Sequence, residues 1–189
     1  MSPATAVRPW LSDADRVDAA VYAAIAATPT PQLDRAMRRL TSAADYSRLW
    51  LGAAAALAVA RGPRGRRAAG LGLASVAVTS AVANAALKPL TRRARPDRDL
   101  SSVPLGRHVR MPVTHSMPSG HTASAFAFAT AVGQVLPRDA LALRALAAAV
   151  GYSRVHTGVH YPGDVVLGAL LGSSCAQLTV HAIDRRSAS

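Results

Sequence analysis

Three stretches of the chain stay apolar long enough to set the architecture. Ala68 to Leu87 carries no charge, and Val165 to Ile183 is a second such run, bounded by Asp164 and Asp184. Ser119 to Leu136 is a third, with His121 near its start. At about 1.5 Å per residue, a helix of this length covers about 30 Å, one bilayer hydrocarbon core. Two shorter runs, Leu49 to Ala60 and Leu141 to Tyr152, span only if their flanks extend them and Arg48 or Arg144 turns its head to the interface. Ala supplies much of the apolar content and favours helix. Alternating β-branched runs between turn signals are scarce, which argues against sheet. The pattern predicts an all-α fold, a membrane-embedded helical bundle of five or six helices.

Residues 1–45 have a different pattern. Met1 to Arg8 lacks the basic-then-apolar order of a secretory signal, and Asp13, Asp15, Arg16 and Asp18 interrupt the next apolar stretch. Ser12-Asp13-Ala14-Asp15 resembles a capping box opening a helix that ends before Pro29. After Thr30-Pro31 a second helix places Leu33, Met37 and Leu40 on one face, with Arg35, Arg38 and Arg39 mostly elsewhere. A basic amphipathic helix of this kind lies on anionic membrane or packs on the protein's own core. With no repeat and no low-complexity linker, the 189 residues read as one domain. Residues 1–45 supply the amphipathic N-terminal helices and 46–189 the membrane bundle.

Charge narrows the partners. The formal net charge of +12, carried largely by Arg, calls for an anionic partner. Nucleic acid is not expected, because the cations gather at helix ends with no stacking aromatics between them. Cys175 is the only cysteine, so no internal disulfide forms, and its apolar setting predicts a buried packing role. Arg61, Arg64, Arg66 and Arg67 form a basic loop before Ala68, Arg138 and Arg144 lie between later runs, and Arg185 and Arg186 close the chain. Alternating crossings put these sets on one face, which the positive-inside rule makes cytoplasmic.

The chemistry lies in three clusters where apolar runs meet polar chain. Lys88-Pro89-Leu90-Thr91-Arg92-Arg93-Ala94-Arg95-Pro96 brings several cations to one boundary, and Arg offers phosphate a planar fork of donors. Cations beside a membrane helix also commonly serve topology alone. Pro118-Ser119-Gly120-His121 opens the third run. A helix start presents free N–H groups to an anion, Gly120 permits close approach, Ser119 adds a hydroxyl, and His121 could protonate a leaving group. A helix cap with an incidental His is the alternative. Ser153 to Asp164 holds Arg154, His156 and His160. Asp164 is close enough in sequence to bind one ring nitrogen of His160 and leave the other free to attack phosphorus. His156 and His160 also have the four-residue spacing of two metal ligands. Gly158 between them, Pro162 and Gly163 after them, and the lack of an intervening Glu weigh against a metal. His108, His115 and His181 have no comparable setting and read as loop or core residues.

In order, K-x6-R-P at Lys88 to Pro96, P-S-G-H at Pro118 to His121 and S-R-x5-H-x3-D at Ser153 to Asp164 resemble the signature motifs of the type-2 phosphatidic acid phosphatase superfamily. The resemblance covers Lys88 to Asp164 in detail. It implies that His160 attacks phosphorus to form a phosphohistidine, with Asp164 orienting its ring and His121 acting as general acid. It further implies that Lys88, Arg95, Arg154, Ser119 and Gly120 hold the phosphoryl oxygens. Neither a metal nor an organic cofactor is implied. The haloperoxidases of the superfamily place vanadate in the same pocket, but are typically much larger soluble proteins. The expected activity is hydrolysis of a lipid phosphate: phosphatidate, phosphatidylglycerol phosphate, or a polyprenyl phosphate or diphosphate. Membrane lipid is the expected surrounding partner, with the protein multi-pass in the cell membrane and its site extracytoplasmic. The alternatives are a soluble acid phosphatase of the same superfamily and a non-catalytic membrane protein binding anionic lipid.

Overall fold

Small side chains dominate the middle of the chain, and they determine how its helices meet. The computed structural model describes residues 7–188. Met1 to Arg8, expected to lack a secretory signal, begins outside the described residues. The helices are α1 (Val7–Ala27), α2 (Pro31–Ala43), α3 (Arg48–Ala60) and α4 (Gly62–Ala81). A π-helical turn at Val82–Leu87 carries α4 into α5 (Lys88–Thr91), and α6 (Gly120–Gly133), α7 (Pro137–His156) and α8 (Pro162–Ala188) complete the bundle. Among the described residues there is no strand.

Helix α6 is the axis of the bundle and packs against α4, α7 and α8. Its run of Ala, Ser and Thr lets neighbouring backbones approach closely. A Cβ at Gly172 of α8 would lie 2.1 Å from the Ala123 carbonyl oxygen, and one at Gly168 would lie 2.6 Å from that of Ser119. Only glycine admits α8 at this distance. On the other side Phe128 meets Trp50 at 5.5 Å between ring centroids, in a core with Ala68, Val132 and Val150.

The outside of the bundle is apolar. Leu51, Val59, Val78, Leu141, Leu170 and Leu178 are all exposed, a surface suited to lipid rather than water. Two helical stretches, Gly62–Thr91 and Pro162–Ser187, are long and apolar enough to cross a membrane. The third expected run forms a helix of only 14 residues, about 21 Å long, and is mostly buried. Its lack of charge therefore reflects packing inside protein rather than contact with lipid.

Two local expectations change, and one choice that the sequence left open is decided. The basic stretch Arg61 to Arg67 caps and opens α4 instead of forming a loop, with Pro63 in the first turn, where no N–H partner is lost. Ser12 to Asp15 lies inside α1, which begins at Val7. Helix α2 packs on the protein through a polar stripe: Asp34 accepts from Arg107 Nε at 2.7 Å and pairs with His156 Nε2 at 2.8 Å, while Thr41 meets Arg154. The bond to Arg107, which is completely buried, anchors α2 to the segment before α6.

The basic sets converge at one end of the bundle. Arg61 pairs with Asp139 at 2.7 Å, Arg64 donates to the Val135 carbonyl at 3.0 Å, and Arg67 pairs with Asp184 at 3.0 Å. The three motif clusters occupy the other end.

Candidate active site

The turn between α7 and α8 delivers the expected nucleophile. Gly158 adopts φ +71°, a conformation that L side chains rarely hold, and Pro162 then starts α8. The turn folds back so that the backbone N–H groups of Val159 and His160 both donate to the Arg154 carbonyl, at 3.1 and 3.2 Å. The His160 ring is 2% exposed and lies between a carboxylate and a guanidinium. Its Nδ1 is 3.3 Å from Asp164 Oδ2 and its Nε2 is 3.2 Å from Arg95 Nη1. A carboxylate accepts and a guanidinium donates, so the proton belongs on Nδ1 and the lone pair on Nε2. Burial pushes the His160 pKa down to about 3, which keeps the ring neutral and that lone pair available at physiological pH.

Asp164 is held more tightly than its spacing from His160 indicates. Arg93 Nη1 donates to its Oδ1 at 2.9 Å, the Tyr161 amide donates to Oδ2 at 2.9 Å, and the Ser116 hydroxyl donates to the same oxygen. Arg93 also pairs with Asp15 at 2.8 Å and Asp18 at 2.7 Å, and lies 4.5 Å above the Tyr161 ring. Asp18 in turn accepts from the Gly163 amide at 2.6 Å, so α1 braces the turn carrying His160. Sequence reasoning missed Arg93 and Ser116. Arg93 is one arginine among several in its cluster, and nothing local sets it apart.

Of the expected phosphate ligands, Arg95 faces Nε2 of His160, and the others lie at the same end of the bundle. Arg95 is fixed by bonds from Nε to the Thr114 carbonyl at 2.8 Å and from Nη1 to the Val159 carbonyl at 2.7 Å. Burial lowers its pKa from the usual arginine value, and Asp164 opposes that shift. The Thr114 hydroxyl accepts from both Arg95 Nη2 at 3.3 Å and Lys88 Nζ at 3.4 Å. Lys88, just beyond the π-helical turn, also donates to Asn84 within it at 2.8 Å, and its Nζ would lie 3.6 Å from a Cβ at Gly120. Ser119 is buried and its amide donates to the Asp164 carbonyl at 2.9 Å, so the helix start of the second motif is tied to the third. Its hydroxyl accepts from Thr122 at 3.0 Å and keeps its own proton to donate. Arg154 is 2% exposed, donates to Thr41 through Nη1, and has no partner on Nε.

His121, in the first turn of α6, has its Nε2 2.8 Å from Asp45 Oδ1. Asp45 belongs to a single 3₁₀ turn between α2 and α3, a place where no sequence signal marks a functional carboxylate. His156 turns to other partners, Asp34 at 2.8 Å and the Tyr152 hydroxyl at 3.3 Å, and so belongs to the anchor of α2 rather than to the site of His160. The eight sequence-selected residues therefore share one end of the bundle, and their surroundings add Arg93, Thr114, Ser116 and Asp45.

Cations, a helix start and a neutral histidine lone pair thus meet at one end of an all-α bundle. The PAP2 superfamily model matches residues 69–188. The chain belongs to that superfamily. It is 34% identical over 160 residues to decaprenylphosphoryl-5-phosphoribose phosphatase of Mycolicibacterium smegmatis, covering 84% of each chain. It is 37% identical over 98 residues to the lipid A 1-phosphatase of Rhizobium etli, a match covering 49% of this chain and 41% of that protein. The fold is shared with the crystal structure of a transmembrane PAP2-type phosphatidylglycerolphosphate phosphatase from Bacillus subtilis. That likeness has a TM-score of 0.68 at 24% identity and covers 92% of this chain and 87% of the other.

Proposed function

We propose that this protein is a lipid phosphate phosphatase working through a phosphohistidine, without metal. The observation carrying the reading is the position of His160: Asp164 takes one ring nitrogen and Arg95, a phosphate-type ligand, faces the other. An arriving phosphoryl group draws Arg95 onto its oxygens and exposes Nε2 to phosphorus. Lys88, Arg154, the Ser119 hydroxyl and the Gly120 amide bind the remaining oxygens and stabilise charge in the transition state. The Nε2 lone pair forms the N–P bond as the P–O bond to the leaving group breaks. Burial and the nearby Arg154 push the His121 pKa down to about 4, so the ring takes up its proton as the anionic substrate arrives, gives it to that oxygen, and is oriented by Asp45. Water then attacks the phosphohistidine, neutral His121 takes the water proton, and inorganic phosphate leaves with His160 restored.

The apolar exterior, with the site at one end of the bundle, supports a multi-pass membrane protein whose substrate keeps its tail in lipid. The end carrying Arg61, Arg64, Arg67 and Arg185 is then cytoplasmic by the positive-inside rule and the site extracytoplasmic, while the arginines near Arg95 run against that rule because they serve phosphate. Substrates of the relatives include lipid A and a decaprenyl-linked phosphoribose, so the substrate here is a phosphate monoester or diphosphate on a membrane lipid. The test is phosphate release by purified protein from a panel of lipid phosphates, with and without EDTA. Turnover that survives the chelator is expected. Activity abolished by EDTA and restored by Mg²⁺ or Zn²⁺ overturns the mechanism.

A further inference from the structure

Beside the phosphate site, a cavity of about 450 Å³ opens between α2 and the segment at 108–110. Arg38 and Arg39 line it from α2, Arg110 from the segment, and Arg154 and Asp45 from the catalytic side. Arg154 belongs to the proposed phosphate ligands, and Asp45 is the partner of His121. The cavity therefore adjoins the side of the site where the leaving group departs, since His121 protonates that group.

Its charge is unbalanced. Arg38, Arg39 and Arg110 pair with no carboxylate among the described residues, and the Asp45 carboxylate already faces His121. The Nε of Arg154 is buried without a hydrogen-bond partner. Helix spacing explains how Arg38 comes to be there, because it shares a face with Asp34 and Thr41, the residues that fasten α2 to Arg107 and Arg154. Four like charges around one cavity repel one another, and the arrangement becomes favourable when an anion neutralises them.

We infer that this cavity is a second anion subsite, which binds a charged group carried by the leaving portion of the substrate. The preferred substrates are then phosphate esters whose leaving group is itself anionic, as the inner phosphate of a diphosphate ester is. The inference rests on the phosphatase reading and specifies its substrate class. In a diphosphate the terminal phosphorus takes the bond from His160, the bridging P–O bond breaks, and His121 protonates the bridging oxygen. Arg38, Arg39 and Arg110 hold the departing monophosphate ester. An ester of a neutral alcohol offers these arginines nothing.

The test compares farnesyl diphosphate with farnesyl monophosphate, which share a tail, as initial rates of phosphate release in neutral detergent micelles. The enzymes are the wild type and the double variant Arg38→Gln/Arg110→Gln, neither position being part of the catalytic site. Loss of about tenfold or more in kcat/KM for the diphosphate, with the monophosphate changed less than about twofold, is the expected result. Equal losses on both substrates, or no loss on either, overturn the subsite. Repeating the assay with phosphatidylglycerol in the micelles separates a substrate group from a bystander headgroup. A variant defect that depends on added phosphatidylglycerol, and ignores the second phosphate of the substrate, also overturns it. Wild-type protein inactive on both substrates and on the lipid-phosphate panel brings down the phosphatase reading itself.

Discussion

Arg93 Nη1 lies 2.9 Å from Asp164 Oδ1, although 71 residues separate the two in the chain. The contact gives Asp164 a fixed cationic partner on the oxygen that His160 does not use, so the carboxylate cannot rotate away from the ring. Arg93→Leu is expected to lower kcat by about tenfold to a hundredfold, the scale on which outer partners of catalytic groups act. KM should change little, because Arg93 does not face the phosphate. Arg93→Lys should recover part of the loss. A KM effect with kcat intact would assign Arg93 to substrate binding instead.

The choice between His156 and His160 is tested by trapping the intermediate. His160→Ala should abolish both turnover and an acid-labile phosphoenzyme. His156→Ala should keep both while losing about 1–3 kcal/mol of stability, because Asp34 then lacks one buried partner. A phosphoenzyme that persists in His160→Ala and vanishes in His156→Ala reverses the assignment.

Asp45→Asn should slow hydrolysis of esters with poor leaving groups more than that of a nitrophenyl ester. The carboxylate acts through His121, and protonation matters less when the leaving group departs easily. A deficit of the same size on both substrates would make Asp45 a structural residue only.

Stability should fall in mild acid. Burial carries the His160 pKa from the ordinary histidine value of 6.5 down to about 3. Between these values the unfolded chain binds a proton that the folded chain does not. Its contribution is therefore whole above about pH 6.5 and is lost as pH falls through the window. The Tm in detergent should drop between about pH 7 and about pH 5, and His160→Gln should make that drop shallower. Equal slopes for the two proteins would mean that His160 is not held neutral by burial.

Sidedness can be read by cysteine labelling in a Cys175→Ala background. Ser102→Cys and Val113→Cys lie at accessible positions near the motif end and should react with an impermeant reagent in intact cells. Arg66→Cys, exposed at the opposite end, should be protected until the cells are opened. The reverse pattern would invert the topology.

Legibility divided along the range of the interactions. Helix content comes from Ala-rich apolar runs, and the bond from His160 to Asp164 spans four residues, a distance that local geometry governs. The three motifs themselves are contiguous stretches, so Lys88, Arg95, Ser119, Gly120, His121 and Arg154 could be named without a fold. Their mutual arrangement could not. Arg93, Ser116 and Asp45 act across 71, 48 and 76 residues, and their local sequence resembles that of any polar loop or turn. The same holds for α2: its Leu33, Met37 and Leu40 stripe was visible, but burial of Asp34 depends on Arg107 and His156 arriving from distant segments. For α6, an uncharged run reads alike whether lipid or protein surrounds it, because both exclude water. The chain alone singled out the side chains proposed to bind and cleave a phosphate ester. Tertiary packing decided which carboxylates and cations hold them in place, since a buried charge finds its partner through space rather than along the chain.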